Sequence, residues 1–177
     1  MPRRAPLLSL LAIAAVLFSA VPAHAAMNAY LVLKSAKAGD VKSEYTMKGH
    51  EGQLLVQAFT HDVSVGAGAH GKTFTITKDL DKASPVLRGL LGTDDTFSVF
   101  ELRLWRPLVA SASGVGTEEQ FFTIALHGAK ISSIVTRMQD IKNPELVKYP
   151  IREEVTFTYT SIDYTFVKGG VAGTSAR

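Results

Sequence analysis

The stretch that decides the fold is FTITKDLDKASPVL, residues 74–87. Its first half alternates apolar residues with threonines, a pattern typical of a strand with one buried face. Its second half predicts a short helix, because Ser84 suits the N-cap and Pro85 suits the first helical position. Gly92 suits the residue after the last turn. We therefore expect a strand that leads directly into a helix of about two turns.

Strand-like segments lie on both sides of this stretch, at residues 29–35, 53–65, 96–107, 118–140 and 152–167. The segment that begins at Glu118 is long enough for two strands meeting near His127. In the last segment the parity of the apolar residues shifts by one at Thr160–Ser161, so the chain is expected to bend there from one sheet into another. With one short helix and no alternation of strands and helices, the predicted class is an all-β sandwich or barrel.

Two polar segments lie outside the predicted strands. Residues 36–52, AKAGDVKSEYTMKGHEG, are too many for a tight turn, and a loop of that length usually has a function. Residues 168–177 are small and glycine-rich, and we expect them to form a flexible C-terminal tail. No repeat or linker divides the chain between them, which predicts one domain over residues 26–167.

The N-terminus has the features of a secretory signal peptide. Arg3 and Arg4 are followed by an uncharged apolar run, and Ala23 and Ala25 stand at the two positions that a signal peptidase inspects. The pattern predicts a signal peptide over residues 1–25, with cleavage between Ala25 and Ala26. The apolar run is shorter than the roughly 20 residues that a membrane-spanning helix needs, so we expect no membrane insertion after the signal is removed.

The composition excludes several classes of function. The chain has no cysteine, which excludes disulfides and thiolate metal sites. Without Arg3 and Arg4, 17 basic residues balance 16 acidic ones. A nearly neutral domain gives no overall argument for binding nucleic acid or an anionic membrane.

Two motifs suggest cofactor or metal chemistry but lack the context it needs. GAGAHG, residues 66–71, matches a dinucleotide-binding glycine pattern, yet a strand follows it where a helix is required. His50, His61 and His70 could contribute to a metal site, but their spacing fits no known ligand pattern. His61-Asp62 with Ser64 lacks the strand, turn and helix of a nucleophile elbow. We expect no cofactor and no metal.

Two further clusters have an ordinary explanation. Four glutamates at strand starts could form a carboxylate pair for glycoside hydrolysis. Acids at such positions are more often solvated residues that guard against aggregation. The four are Glu118, Glu119, Glu153 and Glu154. RLWRP, residues 103–107, could stack on single-stranded nucleic acid, but one such cluster more often packs or meets a protein. The sequence thus contains no convincing active site, and we expect no enzymatic activity.

Four stretches together resemble the haemolysin-coregulated proteins (Hcp), the tube subunits of bacterial type VI secretion systems. They are AYLVLKS with GDVKSEY, HEGQLLVQAFTHDVSV, FTITKDLDKASPVL and EEVTFTYTSIDYTFV, which span residues 29–167. The resemblance implies a β-barrel of two packed antiparallel sheets with one short flanking helix. It also implies a hexameric ring that can stack into a tube and carry secreted effector proteins in its lumen, without catalysis.

The resemblance also implies that the long loop contacts neighbouring subunits or the next ring. We expect the oligomer interface to include Lys42, Glu44, Tyr45, Met47 and His50. Tyrosine and methionine are adaptable contact residues, which fits this role.

Two alternatives remain open. Family tube proteins lack a cleavable signal, so the chain is either a secreted or periplasmic Hcp-like protein, or a cytoplasmic one that starts at Met27 and leaves by type VI secretion. The alternative function is a monomeric periplasmic β-barrel that binds a small ligand or a protein partner. Its cavity would be lined by Leu55, Phe59, Phe74 and Phe157.

Overall fold

The computed structural model describes residues 27–62, 72–108 and 118–176. Before the helix α1, Ser84–Leu90, the strands are β1 Asn28–Ser35, β2 Gly39–Val41, β3 Leu54–Val56, β4 Ala58–Asp62 and β5 Thr73–Asp79. After it they are β6 Phe97–Pro107, β7 Glu118–His127, β8 Lys130–Arg137, β9 Arg152–Thr158, β10 Ser161–Phe166 and β11 Val171–Ala176. Within the described ranges, no helix has the length and apolarity that crossing a bilayer requires.

The strands form two antiparallel sheets, which confirms the predicted class. One sheet has seven strands in the order β11-β10-β7-β6-β1-β2, with β3 also paired to β1, and is called the outer sheet below. The other has four strands in the order β4-β5-β9-β8 and is called the inner sheet. Alternating residues of the two sheets face each other and bury a single apolar core.

Aromatic side chains fill the space between the sheets. Phe74, Phe100 and Phe157 are fully or almost fully buried, and the Phe100 and Phe157 rings meet edge to face with centroids 5.0 Å apart. The expectation that Phe74 and Phe157 line a ligand cavity with Leu55 and Phe59 is therefore wrong, because these two rings pack on other core side chains. Phe59, at the edge of the inner sheet, is 39% exposed.

Four connections carry the chain from one sheet to the other within the described residues: at Gln57, through α1 between β5 and β6, at residues 128–129 between β7 and β8, and between Thr158 and Ser161. Between Thr158 and Ser161 it leaves β9 of the inner sheet and enters β10 of the outer sheet, as the parity shift predicted. At Gln57 it leaves β3 of the outer sheet and enters β4 of the inner one. The sequence predicted one continuous strand over residues 53–65. The Gln57 N–H instead donates to the Thr77 carbonyl at 2.8 Å, where the chain changes sheets.

The two ends of the helical stretch agree only in part with expectation. Gly92 follows the helix with φ +77°, as predicted, since glycine adopts this conformation without strain. Ser84 is the first helical residue and Ala83 is the N-cap, because the Ser84 side chain turns inward to other partners.

The C-terminal residues form a strand where the sequence predicted a flexible tail. This strand, β11, pairs with β10 along its whole length.

Candidate assembly surface

The inner sheet ends in two strands that lack a partner on their outer sides within the described part of the chain. These strands are β4 at one edge and β8 at the other. An unpaired edge presents backbone N–H and C=O groups that another strand can satisfy. Because the sheet has four antiparallel strands, β8 runs opposite to β4. A second copy placed with its β4 beside β8 would therefore continue the antiparallel pattern.

The pairing registers place matching residues at the same level on the two edges. Asp62 on β4 lies in the same row as Lys130 on β8, through Thr73 and Thr158. Two rows along, on the same face of the sheet, Thr60 lies level with Ser133, and both are small and polar. Opposite charges and like side chains directly across a strand pair are favourable.

The face of the inner sheet that points away from the core is rich in hydroxyl groups. Thr60, Thr75, Thr156 and Ser133 form one row across all four strands. The Thr75 and Thr156 hydroxyls are 3.0 Å apart and hydrogen-bonded. This face is therefore polar along its centre.

Two of the predicted interface residues, Lys42 and Glu44, are exposed on the loop. The Lys42 ammonium is 3.6 Å from the Asp40 carboxylate. The Glu44 carboxylate accepts a hydrogen bond from the Lys82 backbone N–H at 2.7 Å, which lowers the pKa of Glu44. Glu44 thus ties the loop to the start of α1, and Lys42 remains available to solvent.

Tyr45 and Met47 lie where the loop borders a groove of about 520 Å³, whose other walls include Leu55 and Leu80. Met47 is 47% exposed, and its sulfur accepts a hydrogen bond from the Tyr30 hydroxyl at 3.4 Å. A groove with an adaptable methionine at its rim suits contact with another protein surface.

His50, in contrast, is buried within the subunit. Its ring stacks on Tyr30 with centroids 3.8 Å apart and meets the edge of Trp105 at 4.8 Å. Its Nε2 is 3.1 Å from Glu118 Oε1, and only 5% of the residue is exposed. His50 thus packs the loop against the outer sheet, and little of its own surface is exposed. Burial raises the pKa of Tyr30.

A buried ion cluster holds α1 on the inner sheet. The Lys78 ammonium lies 2.9 Å from Glu153 Oε1 and 2.6 Å from Asp81 Oδ1, and neither Lys78 nor Glu153 is exposed. The Ser84 hydroxyl donates to Glu153 Oε1 at 2.6 Å. Arg88 approaches the other oxygen of Glu153 at 3.5 Å. The Lys-Asp and Ser-Pro pattern of the opening stretch thus encodes this connection between strand and helix.

His61, on the β4 edge strand, joins the two sheets. Its Nε2 is 2.5 Å from the Tyr159 hydroxyl and its Nδ1 is 2.6 Å from the Tyr164 hydroxyl. Burial lowers the pKa of His61 and raises the pKa of both tyrosines. These contacts fix β4 beside the β9–β10 crossing, so the edge strand has a defined position.

The other candidate residues have structural partners. In RLWRP, Arg103 pairs with Glu101 at 2.6 Å and Arg106 pairs with Glu119 at 2.7 Å. Glu154 faces away from the core and lies 3.4 Å from Arg137. His70, the GAGAHG motif, Ser64, Ala25 and Ala26 lie outside the described residues. In the described ranges, no three His, Asp or Glu side chains are grouped as metal ligands.

Comparison with known proteins places these features in one family. The family model described as "Type VI secretion system effector, Hcp" matches residues 30–166. The "Major exported protein" of Pseudomonas aeruginosa strain PAO1 is 31% identical over 153 residues, which cover 81% of this chain and 86% of that protein.

Solved structures agree in fold. The secreted protein Hcp3 of Pseudomonas aeruginosa is 30% identical with a TM-score of 0.68, and the match covers 85% of this chain and 98% of that one. The Hcp1 protein of Escherichia coli EAEC 042 is 25% identical with a TM-score of 0.68, over 84% of this chain and 98% of that one.

Proposed function

Since the chain belongs to the Hcp family of type VI secretion systems, as a structural tube subunit, we propose that it assembles into a hexameric ring in which β8 of each copy pairs with β4 of the next. The observation that carries this proposal is the inner sheet with two open edges of matching side chains. We name each β8–β4 contact a seam.

Repeated seams generate a closed ring. The two edges of one subunit are different surfaces, so each contact is heterologous and closes only if the rotation between copies divides the circle evenly. Closure satisfies the backbone groups of every inner edge strand and leaves none open for aggregation. An even number of strands in each copy keeps every seam antiparallel.

In such a ring the hydroxyl-rich face of the inner sheet lines the lumen. We propose that this polar wall lets folded effector proteins occupy the lumen without adhering to it. The exposed loop residues Lys42 and Met47, with the half-buried Tyr45, then contact the neighbouring subunit or the next ring in a stacked tube.

Native mass spectrometry and negative-stain microscopy of the mature protein at micromolar concentration test the ring. We expect a hexamer for the natural sequence. Lys130→Asp should shift the population toward monomer, because it places like charges across every seam, and the double variant Lys130→Asp with Asp62→Lys should restore the hexamer. Glu145→Lys, an exposed change in the β8–β9 loop, is the control that leaves the hexamer intact. A natural protein that stays monomeric would overturn the proposal.

For localisation, we propose a signal peptide over residues 1–25 that directs the chain out of the cytoplasm. The intact mass of the protein recovered from each fraction of its host distinguishes a chain that begins at Ala26 from one that begins at Met27. A mature chain beginning at Met27 in the cytoplasm would support the alternative route.

A further inference from the structure

We infer that Leu91, at the end of α1, packs against Phe59 of the neighbouring copy at each seam. This inference rests on the ring proposed above and identifies an apolar contact behind the paired edges. The neighbour's side chain would occupy a groove of about 250 Å³ whose walls include Phe59, Leu104 and Phe121.

The first step concerns the side of α1 on which Leu91 lies. Leu87 belongs to the apolar core and Ser84 bonds the inward-facing Glu153, so α1 covers the core side of the inner sheet. Arg88 hydrogen-bonds the Thr136 hydroxyl on β8, which directs that side of α1 toward the β8 edge. Leu91 follows Arg88 by three positions and so lies on the same side of the turn. It is 40% exposed although it is a large apolar residue.

The second step concerns its height along the edge. The α1–β6 connection returns along β8, because Asp94 lies 3.7 Å from Lys130 at the other end of that strand. Leu91 is therefore between the level of Thr136 and the level of Lys130. The pairing registers place Phe59 in the same row as Ile134, through Ile76 and Val155. In the ring, Phe59 of the next copy therefore lies near the level of Leu91 along the strand direction.

The third step concerns the groove. Phe59 points to the core side of the inner sheet, where its ring stacks on Phe74 with centroids 5.5 Å apart. Because β4 is an edge strand, Phe59 stays 39% exposed, and the groove opens beside it toward Leu104 of the outer sheet. A continuous inner sheet brings the apolar end of the neighbour's α1 to this opening. Burying both exposed side chains there removes apolar surface from water.

Disulfide trapping tests the contact directly, because the chain has no cysteine of its own. The double variant Leu91→Cys with Phe59→Cys is purified in its assembled form, oxidised and run on a denaturing, non-reducing gel. We expect a ladder of covalent multimers up to the hexamer, since a disulfide requires Cβ atoms within about 3.5–4.5 Å. The matched control, Val86→Cys with Phe59→Cys, should stay monomeric on the gel. Val86 is also 40% exposed but lies on the other side of α1.

A second pair separates this inference from the ring itself. Thr60→Cys with Ser133→Cys lies on the lumen face of the same seam and should also give a ladder. If this pair gives a ladder and the Leu91–Phe59 pair does not, the seam is right and the inference is wrong, with the groove left to another occupant. If native mass spectrometry shows a hexamer but neither pair gives a ladder, the β8–β4 seam is wrong and the inference fails with it. A ladder from the Val86 control would also overturn the inference.

Discussion

The helix α1 and the loop of residues 42–53 are both non-strand segments, and they are held against the two sheets by different chemistry. Lys78 and Glu153 hold α1 through charges that are entirely removed from water. Tyr30, His50 and Trp105 hold the loop mainly by ring stacking. A buried ion pair is sensitive to the loss of either partner, since the remaining charge has no compensation. A stack weakens in smaller steps, because each contact contributes separately. The difference suits a fixed helix and an adjustable loop.

The largest expected effect comes from breaking the ionic anchor. Lys78→Met should lower the free energy of unfolding by about 3–5 kcal/mol, because Glu153 keeps its burial and loses its nearest cation. Urea denaturation at one fixed protein concentration measures the change. The matched control is Arg137→Met, which removes the partner of the adjacent, exposed Glu154. The control should cost about 1 kcal/mol or less, as is usual for surface pairs. Equal losses in the two variants would contradict the distinction drawn between them.

A smaller effect is expected from breaking the aromatic anchor. His50→Ala should cost about 1–2 kcal/mol and should mainly release the loop, because it removes two ring contacts and the bond to Glu118. Hydrogen exchange of residues 42–53, compared with the strands, measures this local opening.

His50→Phe sharpens this comparison, because it keeps the stacking on Tyr30 and Trp105 but cannot bond Glu118. If stacking dominates, the loop of the Phe variant should exchange nearly as slowly as that of the natural protein. A Phe variant as open as the Ala variant would instead assign the anchor to the hydrogen bond.

The smallest effect concerns Glu44, which links the loop to the residues before α1. The Lys82 backbone N–H stabilises the Glu44 carboxylate and holds its pKa below the ordinary value of 4.5. The link is therefore complete above that value and is lost as the pH falls through the lowered pKa. The Lys82 amide resonance should titrate with a midpoint below 4.5, and Glu44→Gln should abolish the titration. A midpoint at or above the ordinary value would contradict the link.

The sequence predicted those parts of the fold that depend on local pattern. The alternation around Phe74, the parity shift at Thr160–Ser161 and the glycine at position 92 each correspond to a local backbone requirement, and the structure confirms all three. The change of sheet at Gln57 was missed because it depends on which distant strands pair with β3 and β4.

The two anchors differ in how far the sequence indicated them. The ion cluster has a signal in the sequence: Lys78 and Glu153 both fall on the inward parity of their strands, next to Ile76 and Val155. Glu153 is accordingly buried and is not the solvated residue that its place at a strand start predicted. A charge at a core position predicts a partner of opposite charge. His50 had no such signal, because its partners Tyr30, Trp105 and Glu118 lie far away in the chain. Only its place in the loop predicts an interface role for it.

The short connections between the sheets have a mechanical consequence. At Gln57, at residues 128–129 and between Thr158 and Ser161 the inner and outer sheets are continuous through the main chain. A force on the inner sheet is therefore transmitted to the outer sheet by covalent bonds as well as by packed side chains. Separating the two sheets requires the hydrogen bonds between paired strands to break, so a subunit driven along an axis should move as a rigid whole.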